Sequence, residues 1–334
     1  MIYREEKDVT VKYKEEYVNG INFILKKRQQ EAETSRDNYI KNIFKNQDKY
    51  REDFKKMLGW PLVDYTPDKS PVVISEKLSQ EDGYSVFRMQ FEIMDGLKMT
   101  GLFFRVEGDE KRPLVIVQHG GGGTPERISR VYESTSNYND MLHRVIGHKV
   151  HAFAPQLLLW NEEYNVKYDR KEIDAQLKRV GSSITAIEIF AITRILDYFE
   201  TQKYVSDFGM VGLSYGGFYT LYTTAVDTRI KSSISCSFFN KRDVIGWSDW
   251  TWFKSAEKFD DAEIACLIYP RKLCIEIGNK DELFDYKYGV ESIEKVKKIC
   301  EKVGMDWINF IVFDGNHEFC KDDKPIENLV NDIK

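Results

Sequence analysis

The arrangement of apolar and polar positions divides the chain into two stretches of different period. Over the first sixty residues, Lys, Glu, Gln, Asn and Asp dominate, and Tyr39, Ile40, Ile43, Phe44, Tyr50, Phe54, Met57 and Leu58 recur at helical intervals. Two amphipathic helices fit this pattern. Gly59, Trp60 and Pro61 then supply a stop, because Gly tolerates a left-handed cap and Pro cannot continue a helix. From about Gly83 the period shortens. YSVFRMQFEI and LKMTGLFFRV flank the turn signal MDG and predict an antiparallel hairpin.

Beyond the hairpin, short apolar runs (PLVIVQH, VHAFAP, FGMVGL, IKSSISCS, KLCIEIG, INFIVF) alternate with helical patterns such as ITAIEIFAITRILDYFE and YKYGVESIEKVKKICEKV. That alternation predicts parallel strands joined by crossover helices, a sheet covered on both faces. The expected organisation is an N-terminal helical extension over 1–62 and an α/β domain over 80–334. Neither an internal repeat nor a low-complexity linker is visible.

Composition agrees with a chain that builds a large core. Hydrophobic residues are 42% and charged residues 31% of the 334, and the formal net charge of -5 offers no global cationic field for a nucleic acid. The opening MIYREEKDVTVKYKEEY lacks the apolar core of a signal peptide, and the apolar runs stop short of the roughly 20 residues of a membrane span, so a cytoplasmic protein without a membrane partner is expected. Five cysteines without a C-x-x-C pair predict buried thiols rather than a disulfide framework or a structural zinc site.

The strongest chemical signal is FGMVGLSYGG, which runs from an apolar strand into a helical segment and sets Gly212, Ser214 and Gly216 in the G-x-S-x-G pattern. Glycines two residues either side leave room for a strained strand-to-helix turn that lifts the Ser214 hydroxyl above the sheet. A serine needs a base oriented by a carboxylate. Of the five histidines, His317 in FIVFDGNHEF follows the final apolar strand and is the expected base; His143, His148 and His151 read as surface or packing residues. Asp281 in CIEIGNKDEL leaves another strand at the same sheet edge and is the expected acid, with Glu282, Asp285 and Asp314 as competitors. Glu276, a carboxylate inside an apolar strand, either faces the pocket or pairs with a buried base.

The run VIVQHGGGGT offers backbone N–H groups for a developing oxyanion. The N–H of Tyr215 with that of Gly121 or Gly122 would form the hole, and His119 reads as structural. A phosphate cradle is the competing reading of the glycines, but the Walker spacing and its Lys are absent. Trp247, Trp250 and Trp252 in VIGWSDWTWF, with Trp160 at the end of QLLLW, are candidate substrate-binding rings, although aromatic residues pack against a core equally well.

The order HGGGG, GLSYGG, GNKDEL, DGNHEF resembles the α/β-hydrolase superfamily. AEIACLIYPRKLCIEIGNKDELFD and the DGNHEF ending resemble its dienelactone hydrolase-like and acetyl xylan esterase-like branch. The resemblance covers about 80–334 and implies an eight-stranded, mostly parallel sheet with Ser214 as nucleophile, His317 as base and Asp281 as its partner. Two departures stand out. Dienelactone hydrolases use a cysteine nucleophile, and acetyl xylan esterases usually carry an Arg-Gly-Gln-Gly stretch where this chain has APQLLLWNEEY. The expectation is a serine carboxylesterase for acetyl or other short-chain esters, acetylated carbohydrate included, needing no cofactor or metal and able to associate with a second copy of itself. The alternatives are a serine peptidase of the same fold and a non-catalytic binding protein on a hydrolase scaffold.

Overall fold

A computed structural model describes residues 2–132, 134–159 and 168–334. Its centre is one sheet of nine strands: β1 (Val72–Gln80), β2 (Tyr84–Met94), β3 (Leu97–Val106), β4 (Arg112–Gln118), β5 (His151–Pro155), β6 (Val205–Leu213), β7 (Ile230–Cys236), β8 (Lys272–Gly278) and β9 (Ile308–Phe313). They lie in the order β1-β2-β3-β5-β4-β6-β7-β8-β9. The pairings from β1 to β5 are antiparallel, and those joining β5, β4, β6, β7, β8 and β9 are parallel. The count corrects the expected eight strands to nine. β1 is an edge strand whose side chains are almost all exposed, so burial imposes no alternation on its sequence.

The hairpin between β2 and β3 closes through Asp95 and Gly96, both at positive φ, the conformation a two-residue turn requires to match strand twist. Eleven helices surround the sheet: α1 (Val9–Tyr39), α2 (Gln47–Leu58), α3 (Pro125–Ile128), α4 (Met141–Gly147), α5 (Arg170–Arg179), α6 (Ile184–Glu200), α7 (Tyr215–Val226), α8 (Ser255–Lys258), α9 (Asp261–Cys266), α10 (Tyr286–Cys300) and α11 (Lys324–Ile333) among the described residues. Two hydrophobic clusters line the sheet. The smaller holds Val115, Val117, Val211 and Ile234 with α4 and α11, and the larger holds Ile116, Phe153 and Met210 with α6 and α7.

The helical extension divides at Tyr39. Ile40, Ile43, Tyr50, Phe54 and Leu58 join the larger cluster, where the Phe54 ring meets Tyr222 at 5.1 Å and Phe259 at 5.2 Å. Arg51, itself buried, donates to the carbonyls of Ala225 (2.9 Å) and Leu267 (3.1 Å), which satisfies an orphan acceptor at the end of α7. α1, by contrast, has no buried residue. Among the described residues no helix is long and apolar enough to cross a membrane.

Candidate active site

Ser214 stands between β6 and α7 at φ 61° and ψ -121°. A side chain at this φ is strained, and the surroundings show why it is held there. A Cβ on Gly212 would lie 2.3 Å from the carbonyl oxygen of Gly216, and one on Gly216 would lie 2.1 Å from that of Gln118. The turn therefore closes only with glycine at both places. The Ser214 N–H donates to Cys236 O across the sheet at 2.9 Å, and α7 starts with Phe218 N–H on Ser214 O at 2.9 Å.

His317 and Asp281 meet at that same edge, in the loops after β9 and β8. His317 Nδ1 is 2.9 Å from Asp281 Oδ2, and the Asp281 side chain is fully buried. Asp281 Oδ1 accepts from the N–H groups of Leu283 and Phe284, each at 2.9 Å, so the carboxylate is aimed by the backbone as well as by the ring. The competing carboxylates have other partners. Glu282 accepts the backbone N–H of His317 (3.2 Å), Asp285 caps α10 through Lys287 N–H (3.0 Å), and Asp314 pairs in solvent with Lys280 (2.8 Å). Asn137 and Asn139 hold the His317 loop through the carbonyls of His317 (2.9 Å) and Phe319 (2.7 Å).

The four-glycine run is held at its first and last N–H groups. Gly120 N–H donates to the Tyr138 hydroxyl (2.9 Å), and Gly123 N–H to Gly120 O (3.1 Å), so neither is aimed at the nucleophile; Gly121 and Gly122 lie between them. The run passes close to the nucleophile, since a Cβ on Gly120 would come within 3.0 Å of Ser214 Cβ. His119 is the strut beneath. Its Nδ1–H donates to Gly120 O (3.0 Å), its Nε2 accepts from Leu157 N–H (3.1 Å), and burial pushes its imidazole down to about 4, which keeps it neutral. His151 is likewise buried and pushed down to about 4 by burial, accepting Val106 N–H at 3.1 Å.

A cavity of about 450 Å³ opens beside the nucleophile turn, lined by Tyr168, Arg170, Lys171, Tyr215, Trp247 and Asp249 among others. Its floor is a buried polar network absent from the sequence-based expectations. Arg170 donates from Nε to Asp249 Oδ2 (2.9 Å), from Nη1 to Leu158 O (2.7 Å) and Glu188 Oε1 (3.1 Å), and from Nη2 to Glu188 Oε2 (3.0 Å) and the Tyr219 hydroxyl (2.8 Å). Tyr215 donates its hydroxyl to the same Asp249 oxygen at 2.8 Å, while Asp249 Oδ1 has no partner among the described residues. One guanidinium thus faces two carboxylates within the floor, and Arg170 has no N–H left for a ligand. A further cavity of about 260 Å³, lined by Ser232, Lys272 and Asp306, lies at the opposite ends of β7 to β9, away from Ser214.

The tryptophan expectations need correction. Trp247 is half-buried, lines the cavity and stacks on Tyr215 at 5.6 Å with the rings 10° apart. Trp250 and Trp252 are buried core residues instead of substrate-facing ones, Trp250 packing at 5.1 Å on both Phe218 and Phe238 and Trp252 on Tyr222 at 5.8 Å. Their apolar surface is spent on the larger cluster. Trp160 lies outside the described residues. Phe284 joins the cavity wall to the base, 5.8 Å from Trp247 and 5.6 Å from the His317 ring.

Glu276 is wholly buried in β8, and among the described residues neither of its oxygens has a partner in full hydrogen-bond geometry. Burial pushes its carboxyl up to about 7, opposed weakly by the Cys236 thiol and Arg144. All five cysteines are free thiols, and among the described residues no group of His, Cys, Asp and Glu is placed to hold a metal ion.

Solved structures with the same course of chain include a glucuronoyl esterase from Solibacter usitatus, at TM-score 0.63 and 12% identity over 87% of this chain and 92% of that one. The fold is that of the α/β-hydrolases. Another α/β-hydrolase likeness is Acetyl Xylan Esterase 1 from Thermoanaerobacterium sp. JW/SL YS485, at TM-score 0.57 and 13% identity over 86% of this chain and 94% of that one. In sequence, the chain is 25% identical over 249 residues to the Bacillus subtilis (strain 168) protein named "Putative hydrolase YtaP", covering 69% of this chain and 81% of that one. No family model matches the chain. On the α/β-hydrolase scaffold Ser214, Asp281 and His317 follow β6, β8 and β9, at the strand ends where ligands of open α/β sheets bind.

Proposed function

We propose that the chain is a serine carboxylesterase working through an acyl-enzyme, with acetyl and other short-chain esters, acetylated carbohydrate among them, as its substrates. The buried Asp281 carboxylate, 2.9 Å from His317 Nδ1 at the edge where Ser214 is held at φ 61°, carries the reading. With its proton on Nδ1, the imidazole presents a bare Nε2 to receive the Ser214 proton as Oγ attacks the ester carbonyl. The N–H of Tyr215 and that of Gly121 or Gly122 receive the oxyanion. Collapse of the tetrahedral adduct expels the alcohol, which takes the proton from His317, and a water activated by the same nitrogen then frees the acid. This cycle calls on no cofactor or metal. The names of the relatives, an esterase of glucuronoyl groups, an esterase of acetylated xylan and a hydrolase, support a hydrolytic reaction on this scaffold.

Labelling with a fluorophosphonate and turnover of p-nitrophenyl acetate test the proposal together. Ser214→Ala is expected to fold normally, to lose labelling and to fall in kcat by about 10⁴ to 10⁶, as nucleophile deletions in triads do. Retained turnover in that variant ends the serine mechanism. A series of p-nitrophenyl esters of increasing acyl length, run beside acetylated sugars, then ranks the substrates.

A further inference from the structure

The acyl-enzyme cycle makes no use of the polar floor under the cavity of about 450 Å³ beside the nucleophile turn. Every strong donor on that floor is already taken. Arg170 commits all five of its N–H groups, to Asp249, Leu158, Glu188 and Tyr219. The hydroxyls of Tyr215 and Tyr219 donate to Asp249 Oδ2 and Glu188 Oε2, and Glu188 Oε1 also accepts the N–H of Leu158 at 2.7 Å. One acceptor is left over. Asp249 Oδ1 has no partner among the described residues, although Asp249 is only 1% exposed and lines the cavity. A buried carboxylate oxygen without a donor bears the whole cost of its lost hydration, and a ligand that brings a donor removes that cost.

We propose that Asp249 Oδ1 accepts a hydrogen bond from a free hydroxyl of the substrate, and that the group seated in the cavity is a neutral hydroxylated ring, as in an acetylated sugar. This rests on the esterase reading of Ser214 and deepens it. Charge selects the kind of donor. Two carboxylates face one guanidinium on the floor, so a carboxylate or phosphate of the ligand is repelled. An ammonium is disfavoured as well, because the Arg170 guanidinium is bonded to the other oxygen of the same carboxylate and Lys171 stands on the cavity wall. A hydroxyl brings a proton donor without a charge. The walls suit the rest of a sugar ring, since Tyr168 and Trp247 line them and Trp247 lies 10° from parallel on Tyr215, a flat apolar surface above a few placed polar atoms. The subsite is also tied to the reacting atoms. Tyr215, whose hydroxyl holds Asp249, is the residue after Ser214, so a hydroxyl fixed on Oδ1 orients the ester against the nucleophile.

Methyl glucopyranoside acetylated on its primary hydroxyl, together with three analogues each lacking one ring hydroxyl, tests the assignment on the wild-type chain. One analogue is expected to lose about 10- to 100-fold in kcat/KM, the range of a hydrogen bond to a charged acceptor, and the others at most about threefold. Asp249→Asn closes the cycle. Its amide oxygen still accepts from Arg170 and Tyr215 in the Oδ2 place, while its NH₂ group turns the spare acceptor into a donor, so the penalty for the missing hydroxyl should shrink to about threefold or less. That penalty is a ratio of two substrates on one protein, which a partly unfolded or slowed preparation does not distort. If the variant fails to fold, the wild-type series still decides. Equal kcat/KM across the four wild-type acetates, or a penalty that survives Asp249→Asn, overturns the proposal, and so does an acetylated amino alcohol that outruns the sugar acetate. Fluorophosphonate labelling and turnover of p-nitrophenyl acetate on the same preparation separate the two readings. Absence of both overturns the esterase reading and this one with it, whereas both intact without a hydroxyl penalty overturns this one alone.

Discussion

Asp281 and Glu276 belong to the same strand and its exit, five residues apart, and both carboxyl groups are out of contact with solvent. Asp281 has two backbone N–H groups on one oxygen and an imidazole on the other. Among the described residues Glu276 has no donor in full hydrogen-bond geometry on either, only the Cys236 thiol and the Cys320 backbone nearby. Burial favours the neutral acid at Glu276, whereas Asp281 is fitted with backbone and imidazole donors, so two carboxyl groups five residues apart meet opposite surroundings. The donors at Asp281 come from a loop, whose backbone N–H groups are unspent; those around Glu276 are consumed by the β7 and β9 ladders. A strand interior is therefore a poor place for a carboxylate that must hold a positive imidazolium, and a strand exit is a good one.

The most direct way to break this contrast is Asp281→Asn. The amide keeps the size and the backbone contacts but presents the wrong tautomer demand to His317, and turnover is expected to fall about 10⁴-fold, as in other triads that lose the orienting carboxylate. Asp314→Asn should leave turnover within a factor of two, because that side chain pairs in solvent with Lys280. Equal losses in the two variants would show that the buried contact does not orient the base.

Glu276→Gln acts on stability instead. The wild-type carboxyl keeps its proton in the folded chain up to about pH 7 but releases it near its usual value of 4.5 when unfolded. Across that window the native state holds the extra proton, so wild-type stability falls as pH rises, by about 3 kcal/mol over the whole interval at 1.36 kcal/mol per unit. The amide does not titrate, and urea unfolding at pH 5 and pH 8 should show the variant gaining on wild type by about that amount at the higher pH. Asp261, also pushed up to about 7 by burial, contributes the same slope to both proteins and cancels. A difference that stays flat with pH would mean Glu276 is ionised throughout. The smallest effect is expected from Cys236→Ser, which sets a hydroxyl donor where a thiol now faces Glu276; the same pH-dependent loss should shrink by about 1 kcal/mol.

Glu276 stands out in the sequence because a charge interrupts an apolar run, and the same signal at Glu188, within ITAIEIFAIT of α6, points to the Arg170 network. What no spacing reveals is its partners, since Arg170, Tyr219 and Asp249 come from three other segments and meet only when α5, α7 and the loop after β7 converge. Strands buried on both faces were legible from their apolar runs. β1 was not, because Val72, Ile74 and Leu78 point at solvent and no burial writes a pattern there. Clustering of Trp247, Trp250 and Trp252 likewise says that rings gather but not which of them faces outward. The 40–58 stripe says in advance that this segment needs a cover but not whether its own core or a second copy supplies it; the larger cluster of the same chain does.

The neutral strut at His119 bears on the shape of the rate profile. Both its nitrogens are committed to backbone groups of the glycine loop and of Leu157, and its ionisation lies near 4. The loop that would cradle the oxyanion therefore keeps one protonation state over the whole range in which an esterase of this kind is assayed. Acidification across that range therefore leaves the donors of the loop in place, and His119 adds no ionisation of its own to the profile of log kcat/KM above pH 5.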